Sequence, residues 1–263
     1  MTELLGNVAD VRARPRCPDW RQPCRCYSRP VASGGAAAES LDDPSWRLDE
    51  LAHAGPEHLD AEYVAGYDDK SPADWSDEIA ALQALGIDGA STVVDLGAGT
   101  GTFARAIAPH VARVVAVDIS EPMVTTMRER GVDAALAGFL SYEHDPDAVF
   151  TRNALHHLPD FWKAIALDRI ARLLPPGGAL LLEDLIYSFE PGEGDQVIAR
   201  WLSEALDDAA AGWTAAELAE HVRGEHSTFT WLLEPMLERV GFDVRDRWRS
   251  PTRMYAAYTC IRR

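Results

Sequence analysis

Three glycines at alternate positions, Gly97, Gly99 and Gly101, follow Asp95 at the end of the apolar run Thr92–Leu96. Glycine lets a backbone turn tightly and lets a ligand approach with no Cβ in the way. Downstream, residues 114–117 form another apolar run, which ends in a second acid, Asp118, followed by Ile119. A carboxylate at that point can accept hydrogen bonds from both hydroxyls of a ribose. Together these residues describe a nucleoside pocket at the carboxyl ends of two strands. Further on, Asn153-Ala154-Leu155-His156-His157-Leu158 follows a third such run. Imidazole titrates near neutral pH, so His156 and His157 are the candidates for moving a proton. The alternative is that the pair only shapes a pocket.

Those residues need a scaffold, and the surrounding pattern supplies one. Residues 92–96, 114–118, 134–137, 147–152 and 179–184 read as short strands, with helical patterns between them. Ser120-Glu121-Pro122 caps one helix, whose core face holds Met123 and Met127. Another runs over 160–174 and stops at Pro175-Pro176-Gly177-Gly178. Residues 242–244 and 254–261 would close as an antiparallel hairpin. The expected fold is α/β: a doubly wound, Rossmann-like, mostly parallel seven-stranded sheet with an antiparallel last strand and a small helical cap. That cap is expected at 189–227, a lid insert with helices at 196–209 and 214–223. Trp201 and Trp213 would either line it or fill its core. Ahead of the sheet, helical stretches are expected at 47–52, at 59–67, and from a Ser71-Pro72 cap to Gly86.

Composition narrows the partners. The net charge of −17 argues against nucleic acid and anionic membranes, which need clustered Lys and Arg. No apolar run is long enough to span a bilayer and no signal-peptide core opens the chain, so a cytoplasmic address is expected. Residues 1–44 mix arginine, proline and cysteine without a helical or strand period and read as a flexible extension, leaving 45–263 as the domain. Cys17, Cys24 and Cys26 have neither the spacing nor a nearby histidine for zinc, so no metal is expected.

The Asp95-x-Gly97-x-Gly99-x-Gly101 pattern resembles the first motif of class I S-adenosylmethionine-dependent methyltransferases. The 153–158 segment resembles the fourth motif of that family in its small-molecule form. The helix, Pro-Gly-Gly turn and leucine-rich strand at 160–184 are a further likeness, which covers roughly 59–263. The resemblance implies S-adenosylmethionine as cofactor, a small-molecule methyl acceptor, and cofactor contacts at Asp95, Gly97, Gly99, Gly101, Asp118, Ile119, Gly138, Phe139 and Asn153. It also implies that the helices ahead of the sheet close over the cofactor, where Tyr63 and Tyr67 would reach its carboxylate or the substrate; the alternative is that both only pack the N-terminal helix on the sheet. Gly138-Phe139 stands where the family usually carries an acid for the adenine amino group. Two other readings remain at this stage. Gly99-Thr100-Gly101-Thr102-Phe103-Ala104 also fits the dinucleotide pattern of an NAD(P)-dependent oxidoreductase. A non-catalytic S-adenosylmethionine-binding protein would keep the same motifs.

Overall fold

Alternate residues of the central strands pack on opposite faces of one sheet. Val93, Phe150 and Leu181 join one apolar cluster, while Val94, Val149 and Leu182 join another. Strands covered on both sides read as continuous apolar runs, which is why these were legible. The computed structural model describes residues 46–70, 74–207 and 212–263. The expected extension 1–44, with its three cysteines, lies outside them, as do Ser71 and Pro72. Residues Leu48–Arg263 form one compact unit.

In chain order, the first elements are α1 (Ala61–Ala65), α2 (Tyr67–Lys70) and α3 (Ser76–Ala84). Asp60 caps α1 by accepting from the N–H groups of Glu62 and Tyr63. Asp74 accepts from Ser76 N at 3.0 Å, so α3 begins later than the sequence pattern suggests. The doubly wound core follows as β1 (Thr92–Leu96), α4 (Thr102–Ile107), β2 (Arg113–Asp118), α5 (Glu121–Glu129), β3 (Ala134–Leu136), β4 (Ala148–Arg152), α6 (Asp160–Leu173) and β5 (Ala179–Asp184). Then come β6 (Ile186–Tyr187), α7 (Gly194–Ser203), α8 (Ala215–Gly224), β7 (Thr228–Phe229), α9 (Thr230–Arg239), β8 (Phe242–Arg249) and β9 (Ala256–Arg262).

The main sheet has seven strands in the order β3-β2-β1-β4-β5-β9-β8. All pairs are parallel except those of β9, which runs antiparallel to both β5 and β8. The order reverses between β1 and β4, and such a switch point opens a crevice at the strand ends. Helix α3 covers one face with Trp75, Ile79 and Leu82, against Phe103 and Phe150 stacked at 3.8 Å. Helices α6 and α9 cover the other with Leu167, Ile170, Leu233 and Leu237. Strand β8 runs to Arg249, five residues past the expected end; it is an edge strand, where charged side chains are tolerated.

Between β6 and β7 the chain leaves the sheet. These two short strands pair in parallel, Ile186 with Thr228 and Tyr187 with Phe229, and were not expected from the sequence. Thr214 and Glu217 form a capping box at the start of α8. Trp201 is buried among the apolar residues of this insert, so it belongs to the core there.

Candidate active site

The glycine turn between β1 and α4 works by omission. Gly97 has φ 78°, and a Cβ on it would meet the Cβ of Ala154 at 2.3 Å, so no other residue fits. Gly101 caps α4 at φ 79°, and a Cβ there would press on Met127 at 2.9 Å. Gly99 instead opens onto a cleft of about 680 Å³. Gly97, Asp118, Ile119, Gly138, Phe139 and Asn153 line that cleft too. Asp95 and Gly101 do not. Asp95 is buried at 2% exposure beneath the turn, with Oδ2 lacking any hydrogen bond. Burial first, and then the charge of Asp118, push its pKa up to about 8, so at neutral pH it is a neutral acid.

Asp118 braces the turn from the next strand. Its Oδ2 accepts from Gly99 N at 2.8 Å and its Oδ1 from Ser120 N at 2.9 Å. Burial raises its pKa to about 6, opposed by the N–H groups of Ser120, Gly99 and Ile119. Each oxygen has lone-pair capacity left for a ligand.

Sequence reading missed Glu50. It reaches across from the segment before α1 and lines the same cleft. Oε1 accepts from Leu140 N at 2.9 Å, and burial raises the carboxyl's pKa against the pull of the Leu140 and Phe139 N–H groups. An acid therefore does stand at the Gly138-Phe139 turn, but it comes from ninety residues upstream. No local motif could have revealed it.

A second cavity, of about 1610 Å³, adjoins the first. Ala54, His58, Tyr67, Asn153 and His157 line both. Six of the chain's eight histidines line this second cavity: His53, His58, His156, His157, His221 and His226. Tyr63 and Trp213 also face it.

His156 and His157 sit on a 3₁₀ turn after β4, and their environments differ sharply. His156 is held from both sides. Nδ1 is 2.5 Å from Asp184 Oδ1, and Nε2 is 2.8 Å from Glu225 Oε2. Burial works against its charge, yet Asp184 and Glu225 outweigh it and raise the pKa to about 9. Asp184 is in turn held below the usual carboxylate range, its burial offset by the His156 charge. His156 is thus an imidazolium with both nitrogens taken, not a free base. Burial, and then the neighbouring His156 charge, push His157 down to about 3. It is a neutral imidazole, its buried Nδ1 without a hydrogen bond.

The family described as "Methyltransferase domain" matches residues 67–246. The chain belongs to this family. As a methyltransferase it uses S-adenosylmethionine as methyl donor. A cypemycin N-terminal methyltransferase from Streptomyces sp. is 41% identical over 100 residues, a stretch spanning 35% of this chain and 41% of that protein. An uncharacterized methyltransferase of Mycobacterium tuberculosis is 28% identical over 197 residues, 70% of this chain and 87% of its own. In fold, the methyltransferase is similar to magnesium protoporphyrin IX methyltransferase from Synechocystis (TM-score 0.58, 14% identity, 84% of this chain and 100% of that one). Membership disposes of the nicotinamide reading of Gly99 to Ala104.

The first cleft fits the donor. It offers a glycine edge with no side chain in the way, the Asp118 carboxylate, the Phe139 ring, and a half-buried acid at Glu50. Bound there, S-adenosylmethionine would supply an electrophilic methyl group on a charged sulfur. Among the described residues no helix is long and apolar enough to cross a membrane.

Proposed function

We propose that this methyltransferase transfers the methyl group to a small-molecule acceptor seated in the histidine-lined cavity. The shared wall carries the reading: Asn153, His157, His58 and Tyr67 belong to both cavities, so donor and acceptor meet there. Gly97 and Gly99 take the methionyl part, Asp118 the ribose diol, Ile119 and Phe139 the faces of the adenine, and Glu50 its amino group. Asp95 and Gly101 shape the turn without touching the ligand. The insert at 189–227 acts as the lid over the acceptor.

His157 accepts a hydrogen bond from the nucleophile and aims it. An imidazole with a pKa near 3 is always free to accept, yet too weak a base to keep the proton. His156, fixed between two carboxylates, positions His157 and takes no proton itself. The rate then comes mainly from alignment along the methyl–sulfur axis and from exclusion of water.

An amine on a peptide is a second reading. Glu217, Glu220 and Glu225 line the acceptor cavity, which suits a cation, and the Streptomyces relative is named for an N-terminus. Labelled S-adenosylmethionine offered with a metabolite panel and with short peptides tests both. Transfer to a metabolite supports the first reading and transfer to a peptide amine the second. Tight S-adenosylhomocysteine binding with no transfer to anything would favour a non-catalytic binder.

A further inference from the structure

Glu225 Oε2 stands 2.8 Å from Nε2 of His156 and 2.5 Å from Nδ1 of His221. One carboxylate oxygen therefore lies within contact of two imidazole nitrogens at once. A ring nitrogen of His157 completes the group: metal-capable atoms of His156, His157 and Glu225 all lie within 4.8 Å of one another. His221 and Glu225 share a face because they are four residues apart at the end of α8.

Two features go beyond chance crowding. His156 turns its other nitrogen onto Asp184, and His221 turns its Nε2 onto Ser227 Oγ at 3.0 Å. A metal-ligating histidine is held in this way, its second nitrogen bonded to a carboxylate or another polar group, which fixes tautomer and ring orientation. In addition, the buried His157 Nδ1 has no hydrogen bond, and a polar atom left so is costly unless something satisfies it.

We propose that His156, His157 and Glu225, with His221 adjoining, form a site for a zinc-class divalent transition ion, open toward the acceptor cavity. Two imidazoles and a carboxylate are a donor set for zinc or ferrous iron, whereas magnesium and calcium prefer oxygen alone. The ion takes the place of the proton that otherwise lies between His156 and Glu225. Of the four residues only His157 also lines the donor cleft, so the open coordination position faces the acceptor. It would take an oxygen or nitrogen of that molecule, in place of the hydrogen bond to His157, whose one lone pair the ion then occupies. This site does not depend on which acceptor is used.

The test uses the full chain, stripped with a chelator and titrated with Zn²⁺ against a competing dye. About one ion per chain should bind, and Mg²⁺ should not compete. Glu225→Gln should weaken Zn²⁺ at least about tenfold, and Asp184→Asn, which removes no ligand, by about 10–100-fold. S-adenosylhomocysteine binding checks that each variant is folded, since neither residue lines the donor cleft. Equal Zn²⁺ affinity in wild type and Glu225→Gln would overturn the site, as would no binding at all. Co²⁺ on the wild type gives an answer even if the variants misfold. Ligand-field bands without thiolate charge transfer support the histidine site. Thiolate charge transfer would assign the ion to cysteines such as Cys17, Cys24 and Cys26 and overturn it.

Discussion

The Glu50 carboxylate lies against the backbone of Gly138 so closely that a Cβ there would stand 2.4 Å from Oε2. The glycine makes room for an acid supplied from elsewhere in the chain. If Glu50 holds the adenine amino group, Glu50→Gln should weaken S-adenosylhomocysteine by about 1.5–3 kcal/mol. Melting should hold, because the amide carries no buried charge. Calorimetry gives the first value and thermal unfolding the second. Unchanged affinity would remove Glu50 from the donor site.

Asp118 has two tasks, so its loss should show twice. Asp118→Ala should cost about 1.5–3 kcal/mol in donor affinity through the ribose diol. It should also lower the melting temperature, since the N–H groups of Gly99 and Ser120 lose their acceptor. Asp118→Asn keeps an acceptor for only one of the two N–H groups, so it should restore the melting temperature in part at most, with affinity still lost.

Asp95 predicts a pH dependence. Its carboxyl titrates near 8 in the folded chain, against roughly 4 when unfolded. Between those values the folded state keeps a proton that the unfolded state releases, so stability is full below about pH 4 and declines as pH rises toward 8. The slope from this group reaches about 1.4 kcal/mol per pH unit. Asp95→Asn should remove that slope, with the variant gaining on wild type most at pH 8. Parallel melting curves from pH 5 to 8 would show Asp95 ionised in the fold.

The paired histidines should fail differently. His156→Asn leaves the buried Asp184 without its cation, at a cost of about 3–5 kcal/mol in stability, while the half-buried Glu225 keeps His221 beside it. His157→Asn should instead lower kcat by about 10²-fold, as for a misplaced nucleophile, with donor affinity little changed. No limb of the pH–rate profile between about pH 5 and 8 should belong to His157. Such a limb present in wild type and absent in the variant would make it a general base.

The sheet was legible because each core strand is a short apolar run that ends at glycine or an acid, and each crossover helix has its own stop. The lining of the first cleft was legible for the same reason, since Gly97, Gly99 and Asp118 sit at the strand ends that build it. Strands β6 and β7 were not, because two residues carry no period. The histidine cavity was not either. His53, His58, His221 and His226 come from segments that meet only in three dimensions, and Glu50 bonds Leu140 across ninety positions. Asp95 was assigned to the ligand by motif, yet its side chain points beneath the turn.

The short β6–β7 ladder has a consequence for how such an enzyme diversifies. It stitches both ends of the insert together at Ile186–Thr228 and Tyr187–Phe229, right beside the end of β5. What lies between can be exchanged as a cassette without cutting the seven-stranded sheet or the glycine turn. That cassette brings Trp213, His221 and Glu225 to the histidine-lined cavity and contributes nothing to the first cleft. A changed insert would therefore alter one part of that cavity's wall and leave the first cleft intact. Grafting another insert onto the same ladder would show whether this wall selects what the scaffold methylates.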